Sequence, residues 1–277
     1  MRKINYGLIV SDFDGTLVNL DGSIPAINKK AIEEYTKNGG VFAISTGRLP
    51  SGILSRAREL GLKGVVSCCQ GAIIMDIEKG TPLVQGTIPH KTPLAICKKM
   101  EELGVHYHVY DLWDYYCNVD DEWLGYYEKI VQSSAVKILD RPLSEYIAEK
   151  GLCAYKVLAM VSPEENARIL QALSDMQFEG CYVTKSADFL VEVCNASYSK
   201  GTAVEYLAKH YGVPIEKTIG IGDQLNDLPM LQTAGLGIAV KNADNKLKEA
   251  ALVCEYTNEE GAVGKTIEKY GYTEEQE

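Results

Sequence analysis

Positive charge is in short supply in this chain. Lys and Arg total 28 against 38 Asp and Glu, a formal net charge of −10 in 277 residues. That balance repels a phosphate backbone unless a local basic patch overrides it, and the sequence shows no such patch, so nucleic acid is not an expected partner. Long hydrophobic runs are missing too. None approaches the roughly 18 residues that a membrane span needs, and the apolar stretch Leu8-Ile9-Val10 is broken at once by Asp12 and Asp14. Neither a membrane helix nor a secretory leader is expected, and the chain reads as cytoplasmic. Histidine is scarce at four residues, and the eight cysteines lie mostly in apolar strand-like segments. Without a leader they are expected as reduced, buried thiols. Cys68 and Cys69 are adjacent rather than two residues apart, and His106 and His108 alternate in a strand-like run, so no thiol and imidazole metal site is expected. What is present, 46% apolar and 24% charged residues, is the composition of a folded chain long enough for one large domain or two ordinary ones. Nothing in the sequence specifies an oligomeric state.

The periodicity falls into three blocks. Residues 6–11, 40–45 and 64–67 are short and β-rich, and the first two are each followed by a helical pattern, at 25–38 and 50–60. Such alternation predicts a parallel sheet with right-handed crossovers, in which ligands sit beyond the carboxyl ends of the strands. Strands are expected again at 72–75 and 83–88, around a Glu78-Lys79-Gly80 turn. From about 89 to 186 the order becomes helix 93–103, strands 105–110 and 115–119, helix 122–132, strand 154–161, helix 163–176 and strand 181–184, which suits antiparallel pairing. The βα rhythm then returns with strands at 189–193, 218–221 and 235–240 and helices at 202–211, 227–233 and 245–251. The expectation is an α/β fold with a Rossmann-like parallel core from residues 1–84 and 187–277, and an α+β domain of residues 85–186 inserted between its halves. The acidic tail 273–277 is expected to fray.

Four segments carry chemistry. In LIVSDFDGTL an apolar strand runs into Asp12 and Asp14, and residues i and i+2 of an extended chain share a face. Two carboxylates that close resist joint ionisation without a cation, and a hard divalent ion such as Mg2+ is the natural neutraliser; a polar Asp-Gly turn with Thr16 as a cap is the plainer reading. In VFAISTGRLP a strand ends in Thr46-Gly47-Arg48 before a helix with Pro50 in its first turn. A hydroxyl, a glycine that admits close approach and free helix N–H groups make a phosphate-sized anion site, although simple capping explains Ser45 or Thr46 as well. Lys200 stands at the start of a helical run, where a cation opposes the macrodipole unless an anion is near, and solvation is its plainer reading. In TIGIGDQLNDLPML another strand ends at Asp223 before a helix entered through Asn226 and Asp227. Capping accounts for the last two but not for Asp223, a further strand-end carboxylate that could help cage Mg2+.

In this order DFDGT, STGR, SKG and GDQLND resemble the four motifs of the haloacid dehalogenase superfamily, over essentially the whole chain. The large insert between the second and third motifs is similar to that of the Cof-like branch of phosphatases. The resemblance implies that Asp12 is the nucleophile and forms an aspartyl-phosphate, and that Asp14 is the general acid and base. It implies Mg2+ held by Asp12, Asp223 and Asp14, the last through its backbone carbonyl. Thr46, Gly47, Lys200 and Asn226 would hold phosphoryl oxygens, with Thr16, Arg48 and Asp227 in support. The implied substrate is a small phosphorylated metabolite, a sugar phosphate or a phosphorylated cofactor. A sugar phosphomutase is a second reading, and an idle phospho-ligand sensor, which needs neither nucleophile nor acid, a third.

Two loops depart from the family pattern. Cys69-Gln70-Gly71-Ala72 stands where many relatives have Asn-Gly-Ala, and Asn195-Ala196-Ser197 where many have a proline and a glycine. Both are expected to border the cleft and to bear on substrate fit. In the insert, the aromatic segment 107–116 is expected to pack a core rather than line a lid, and Lys156 to be solvated rather than to reach the cleft.

Overall fold

Leu8–Ser11, four buried residues in succession, form strand β1, as a strand covered on both faces of a parallel sheet requires. The computed structural model describes residues 2–19 and 21–273. From β1 the chain passes through α1 (Ala26–Lys37) to β2 (Val41–Ile44), and through α2 (Pro50–Glu59), which has Pro50 in its first turn, to β3 (Val65–Cys68). A short 3-10 turn, Cys69–Gly71, reverses it at once into β4 (Ile73–Asp76), followed by β5 (Pro82–Gln85). Here the structure differs from expectation. β3 pairs antiparallel with β4 and β4 with β5, while the isolated parallel bridge Ser45↔Ser67 ties the group to β2. A one-turn return leaves β3 no crossover, so its partner is its own hairpin.

The insert follows as α3 (Thr92–Leu103), β6 (His106–Tyr110), β7 (Tyr115–Cys117), α4 (Glu122–Val131), β8 (Val136–Lys137), α5 (Leu143–Lys150), β9 (Lys156–Met160), α6 (Pro163–Ser174), β10 (Cys181–Ala187) and β11 (Leu190–Asn195). Its sheet runs β10-β11-β9-β6-β7-β8, antiparallel except for the last pair. The strand expected at 189–193 forms as β11 but joins this sheet, not the parallel one. Ala187 pairs with Leu190 across a two-residue turn, and that hairpin decides its partner. The insert's sheet therefore runs on to Asn195.

The chain returns through α7 (Lys200–Tyr211), β12 (Thr218–Gly222), α8 (Leu228–Thr233), β13 (Leu236–Ala239), α9 (Asn245–Glu249), β14 (Leu252–Val253) and α10 (Ala262–Tyr270). The core sheet, β14-β13-β12-β1-β2, is parallel throughout. Because β1 lies between β12 and β2, connections leave it to both sides, and a crevice opens at the ends of these strands. β8, α5, β14 and α10 had no counterpart in the sequence reading. Two-residue strands carry no period, and the buried face of α10 mixes Gly264 and Thr266 with its apolar residues. Of the acidic tail, all but Thr273 lies outside the described residues.

The insert's sheet has two unlike faces, set by the two-residue period. Tyr107, Val109, Val157, Ala159, Val191 and Val193 pack under α3, α5 and α6 as a separate apolar core. Tyr110, Tyr115, Leu158 and Met160, with Leu124 and Tyr127 of α4, join the main core instead. The aromatic segment thus divides between two cores, one of them continuous with the parallel-sheet body. No described helix is long and apolar enough to cross a membrane.

Candidate active site

Asp12 follows β1 directly and is buried. Its Oδ1 accepts a hydrogen bond from Lys200 Nζ at 2.5 Å, and Lys200 donates equally to Asp227 Oδ1 at 2.5 Å. Lys200 is the first residue of α7, fixed there by a capping box between Ser199 and Thr202. The other oxygen of Asp227 accepts the backbone N–H groups of Asp223 and Gln224, so this carboxylate holds both the lysine and the loop. Asp223 Oδ1 accepts from the Thr16 hydroxyl at 2.8 Å. Gly15, at φ +75°, lies under Asp223: a Cβ there would come within 2.5 Å of Oδ2. Only glycine lets the β1 turn pass beneath that carboxylate.

Oxygens of Asp12, Asp223 and Asp227 lie within 4.8 Å of one another. Against these three carboxylates stands one ammonium, leaving two negative charges uncompensated. Burial pushes the Asp12 carboxyl well above the usual carboxylate range, with Lys200 opposing the rise and the neighbouring aspartates adding to it. Burial, then Asp227, pushes Asp223 up to about 7. Lys200 is disfavoured as a cation by burial, yet Asp12 and Asp227 hold it above the ordinary lysine range. An all-oxygen donor set short of two positive charges fits one hard divalent cation.

Asp14 does not share this cluster. Both of its oxygens accept from the Arg48 guanidinium, Oδ2 from Nε and Oδ1 from Nη2, each at 2.7 Å. The expectation that the Asp12 and Asp14 side chains project together is corrected here, because β1 ends at Ser11 and the i, i+2 rule stops with it. Arg48 reaches further, donating to the carbonyls of Ile130 and Val131 at the end of α4. Thr46 is buried, and its hydroxyl oxygen accepts the Arg48 N–H at 3.1 Å. Asn226 donates to Gln70 Oε1 at 3.0 Å, and its own Oδ1 is buried without a partner among the described residues.

The sequence reading missed the cleft's upper wall. Lys156, expected in solvent, is 2% exposed. Its Nζ donates to the Gly47 carbonyl at 2.8 Å and to Glu192 Oε1 at 3.2 Å, and lies 4.5 Å from the Tyr110 ring centroid. Glu192 also accepts from Gln70 Nε2 at 2.9 Å and from the Ser186 hydroxyl at 2.6 Å. Gln70 therefore bridges Asn226 below and Glu192 above, from a backbone at φ +58° that non-glycine residues seldom adopt. The signal available was the departure of Cys69-Gln70-Gly71-Ala72 from the family pattern. These groups enclose a cavity of about 520 Å³ between core and insert, with Tyr126 and Phe189 among its lining residues. His106, His108 and Cys117 converge inside the insert.

The comparisons agree with this geometry. A putative phosphatase of Haemophilus influenzae is 31% identical over 268 residues, covering 95% of this chain and 98% of its own length. A Bacillus subtilis protein named 5-amino-6-(5-phospho-D-ribitylamino)uracil phosphatase YitU is 25% identical over 266 residues, covering 95% and 97%. A haloacid dehalogenase-like hydrolase of B. subtilis superposes with a TM-score of 0.85 at 27% identity, covering 95% of this chain and 99% of that one. The sequence family of haloacid dehalogenase-like hydrolases matches residues 9–267, and the chain belongs to that superfamily, as an enzyme of its Cof-like branch.

Proposed function

We propose that this chain is a Mg2+-dependent phosphatase that hydrolyses a small phosphomonoester through an aspartyl-phosphate on Asp12. The observation that carries the reading is the buried Asp12 carboxylate, held by Lys200 at a strand-end crevice that is short of two positive charges. The Asp12 oxygen not engaged by Lys200 attacks phosphorus, and the bond to the leaving oxygen breaks. Lys200 stabilises the charge on the phosphoryl oxygens as it shifts. The Thr46 hydroxyl accepts from the Arg48 backbone and so keeps its own proton free to donate to a phosphoryl oxygen. Asp14, once it has swung off Arg48 and taken up a proton from solvent, gives that proton to the leaving oxygen and then regains one from the water that cleaves the acyl-phosphate. Asp12, Asp223 and the Asp14 carbonyl would hold Mg2+, which when bound supplies charge neutralisation beside the phosphoryl group.

The leaving group would lie against Lys156, Glu192 and Gln70, where polar groups are fixed in pairs, with the Tyr126 and Phe189 rings, 5.5 Å apart, to one side. A cavity of about 520 Å³ suits a metabolite-sized ester such as a sugar phosphate or a phosphorylated cofactor. The YitU name supports the second class. The insert acts as a cap whose two chain crossings meet where Asn195 Nδ2 donates to the Thr87 carbonyl. We therefore set its boundaries at about 87 and 195. A phosphate-release screen over metabolite phosphates, with Mg2+ present or chelated, tests the reading. Mg2+-dependent release from a few related esters is expected. Release undiminished in excess chelator, or phosphoryl return to the sugar without free phosphate, overturns it.

A further inference from the structure

Strand β6 places His106 and His108 on one face of the insert's sheet, and continuing the register of Val109 with Tyr116 sets Cys117 of β7 opposite His108. The three side chains are buried, and their ligand atoms lie within 4.8 Å of one another. His106 Nε2 is 2.8 Å from His108 Nε2 and 3.6 Å from Cys117 Sγ. The other ring nitrogen of His106 is 3.0 Å from Asp121 Oδ2, while Asp121 also caps α4 by accepting from Leu124 N.

Proton counting shows how poorly internal hydrogen bonding explains this trio. The carboxylate of Asp121 calls for a proton on His106 Nδ1, so in the neutral ring Nε2 is a bare lone pair aimed at His108. One N–H from His108 can serve it, but His108 Nδ1 is then buried with no partner among the described residues. If His106 carries both protons, the same atom of His108 is an orphaned donor instead. The orphaned Nδ1 stays unpaired with or without an ion at Nε2; what points to an ion is that the two Nε2 atoms and Cys117 Sγ gather together in the sheet interior.

We propose that His106, His108 and Cys117 form a Zn2+ site in the insert, distinct from the carboxylate site of the crevice. Tetrahedral zinc sites have Zn–N of about 2.0–2.1 Å and Zn–S of about 2.3 Å, which puts nitrogen and sulfur about 3.5 Å apart, close to the spacing between His106 and Cys117. The two ring nitrogens need to part by only about 0.5 Å to admit the ion. Asp121 stands where an outer carboxylate fixes the tautomer of a zinc-bound histidine, and its half-exposed side chain marks the way in from solvent. Cys117, whose thiol now faces the Val119 carbonyl at 3.3 Å, would release its proton to water as the Zn–S bond forms. Three protein ligands leave a fourth position for water. The donor set is borderline to soft and does not suit Mg2+, so the two sites select different ions.

The test is a Co2+ titration of the whole protein in excess Mg2+, followed by absorption spectroscopy and then by displacement with Zn2+. One equivalent of Co2+ giving a thiolate-to-cobalt charge-transfer band and intense four-coordinate d–d bands, both erased by Zn2+, is expected. The band should vanish in Cys117→Ser and persist in Cys153→Ser, which removes an exposed thiol. Asp121→Asn should weaken Co2+ affinity about 10–100-fold without abolishing the band. Circular dichroism checks folding, and if Cys117→Ser does not fold, the wild-type spectrum and the Asp121→Asn shift decide. Absence of charge transfer, a band that survives Cys117→Ser or is lost in Cys153→Ser, or unchanged affinity in Asp121→Asn overturns the site.

Discussion

Two buried lysines face each other's territory across the cleft, and their surroundings differ in one respect. Lys156, in the insert, meets a single carboxylate, Glu192, and the remaining acceptors around it, the Gly47 carbonyl and the Tyr110 ring, are neutral. Lys200, in the core, meets two carboxylates directly, with a third in the same oxygen cluster. The first arrangement is balanced and complete. The second is two charges short, and such a deficit in a buried cluster is tolerable only if protons or a cation make it up. Under the proposed mechanism, charge imbalance separates the part of the cleft that performs chemistry from the part that shapes it.

Several measurements would break or sharpen that distinction. The largest effect belongs to Asp12→Asn, which should lower phosphate release by on the order of 10⁴-fold or more while circular dichroism stays unchanged. Substantial residual turnover in a pure sample would move the nucleophile elsewhere. Next comes the cation. Chelation should abolish turnover, and Mg2+ should restore it better than the larger, more loosely coordinated Ca2+.

The same deficit has a pH signature. Asp12 and Asp223 are raised in the folded chain, so between the unfolded carboxylate range and about 7 the native state binds more protons than the unfolded one. Stability of the metal-free protein should then fall as pH rises through that window. Melting curves in chelator should show a lower Tm at pH 8 than at pH 5.5, and Mg2+ should raise Tm more at pH 8. Equal Mg2+ shifts at both values would contradict the uncompensated cluster.

On the balanced side, Lys156→Met leaves Glu192 buried without a countercharge, which should cost about 3–5 kcal/mol in a denaturant titration. Adding Glu192→Leu should recover most of that loss; a strictly additive pair would mean that the two do not act as a unit. The smallest effect is expected from Arg48→Lys, which keeps the charge but loses the planar fork on Asp14 and the carbonyls of α4. A drop of about 10–100-fold in kcat/KM with little change in Tm would fit a positioning role.

The same contrast explains what could be read from the sequence. Asp12, Lys200 and Asp223 stand where a strand or helix begins or ends, so a polar residue breaks an apolar run and the break is visible. Glu192 and His108 lie inside strands of an antiparallel sheet and Lys156 opens one, where a polar residue on alternate positions looks like a solvated face. Only the docking of that face against the core and α4 turns it inward, and no local pattern encodes docking. The misplaced strand β11 has the same origin, since nothing within Leu190–Asn195 names its partner, which is decided by a two-residue turn. Asp14 was placed correctly along the chain but wrongly in direction, because its orientation depends on Arg48, 34 residues away.

Arg48 spans two territories, with the side chain of Asp14 on one edge and two main-chain oxygens of the insert on the other. A guanidinium has five N–H donors in a rigid plane, so it cannot pivot toward one group without loosening its hold on the other. Lifting the insert and freeing Asp14 thus become a single interlocked event. Under the proposed mechanism, Asp14 could reach a leaving group only if the hold of Arg48 on the end of α4 loosens as well. Such an interlock would couple each turnover to a movement of the insert.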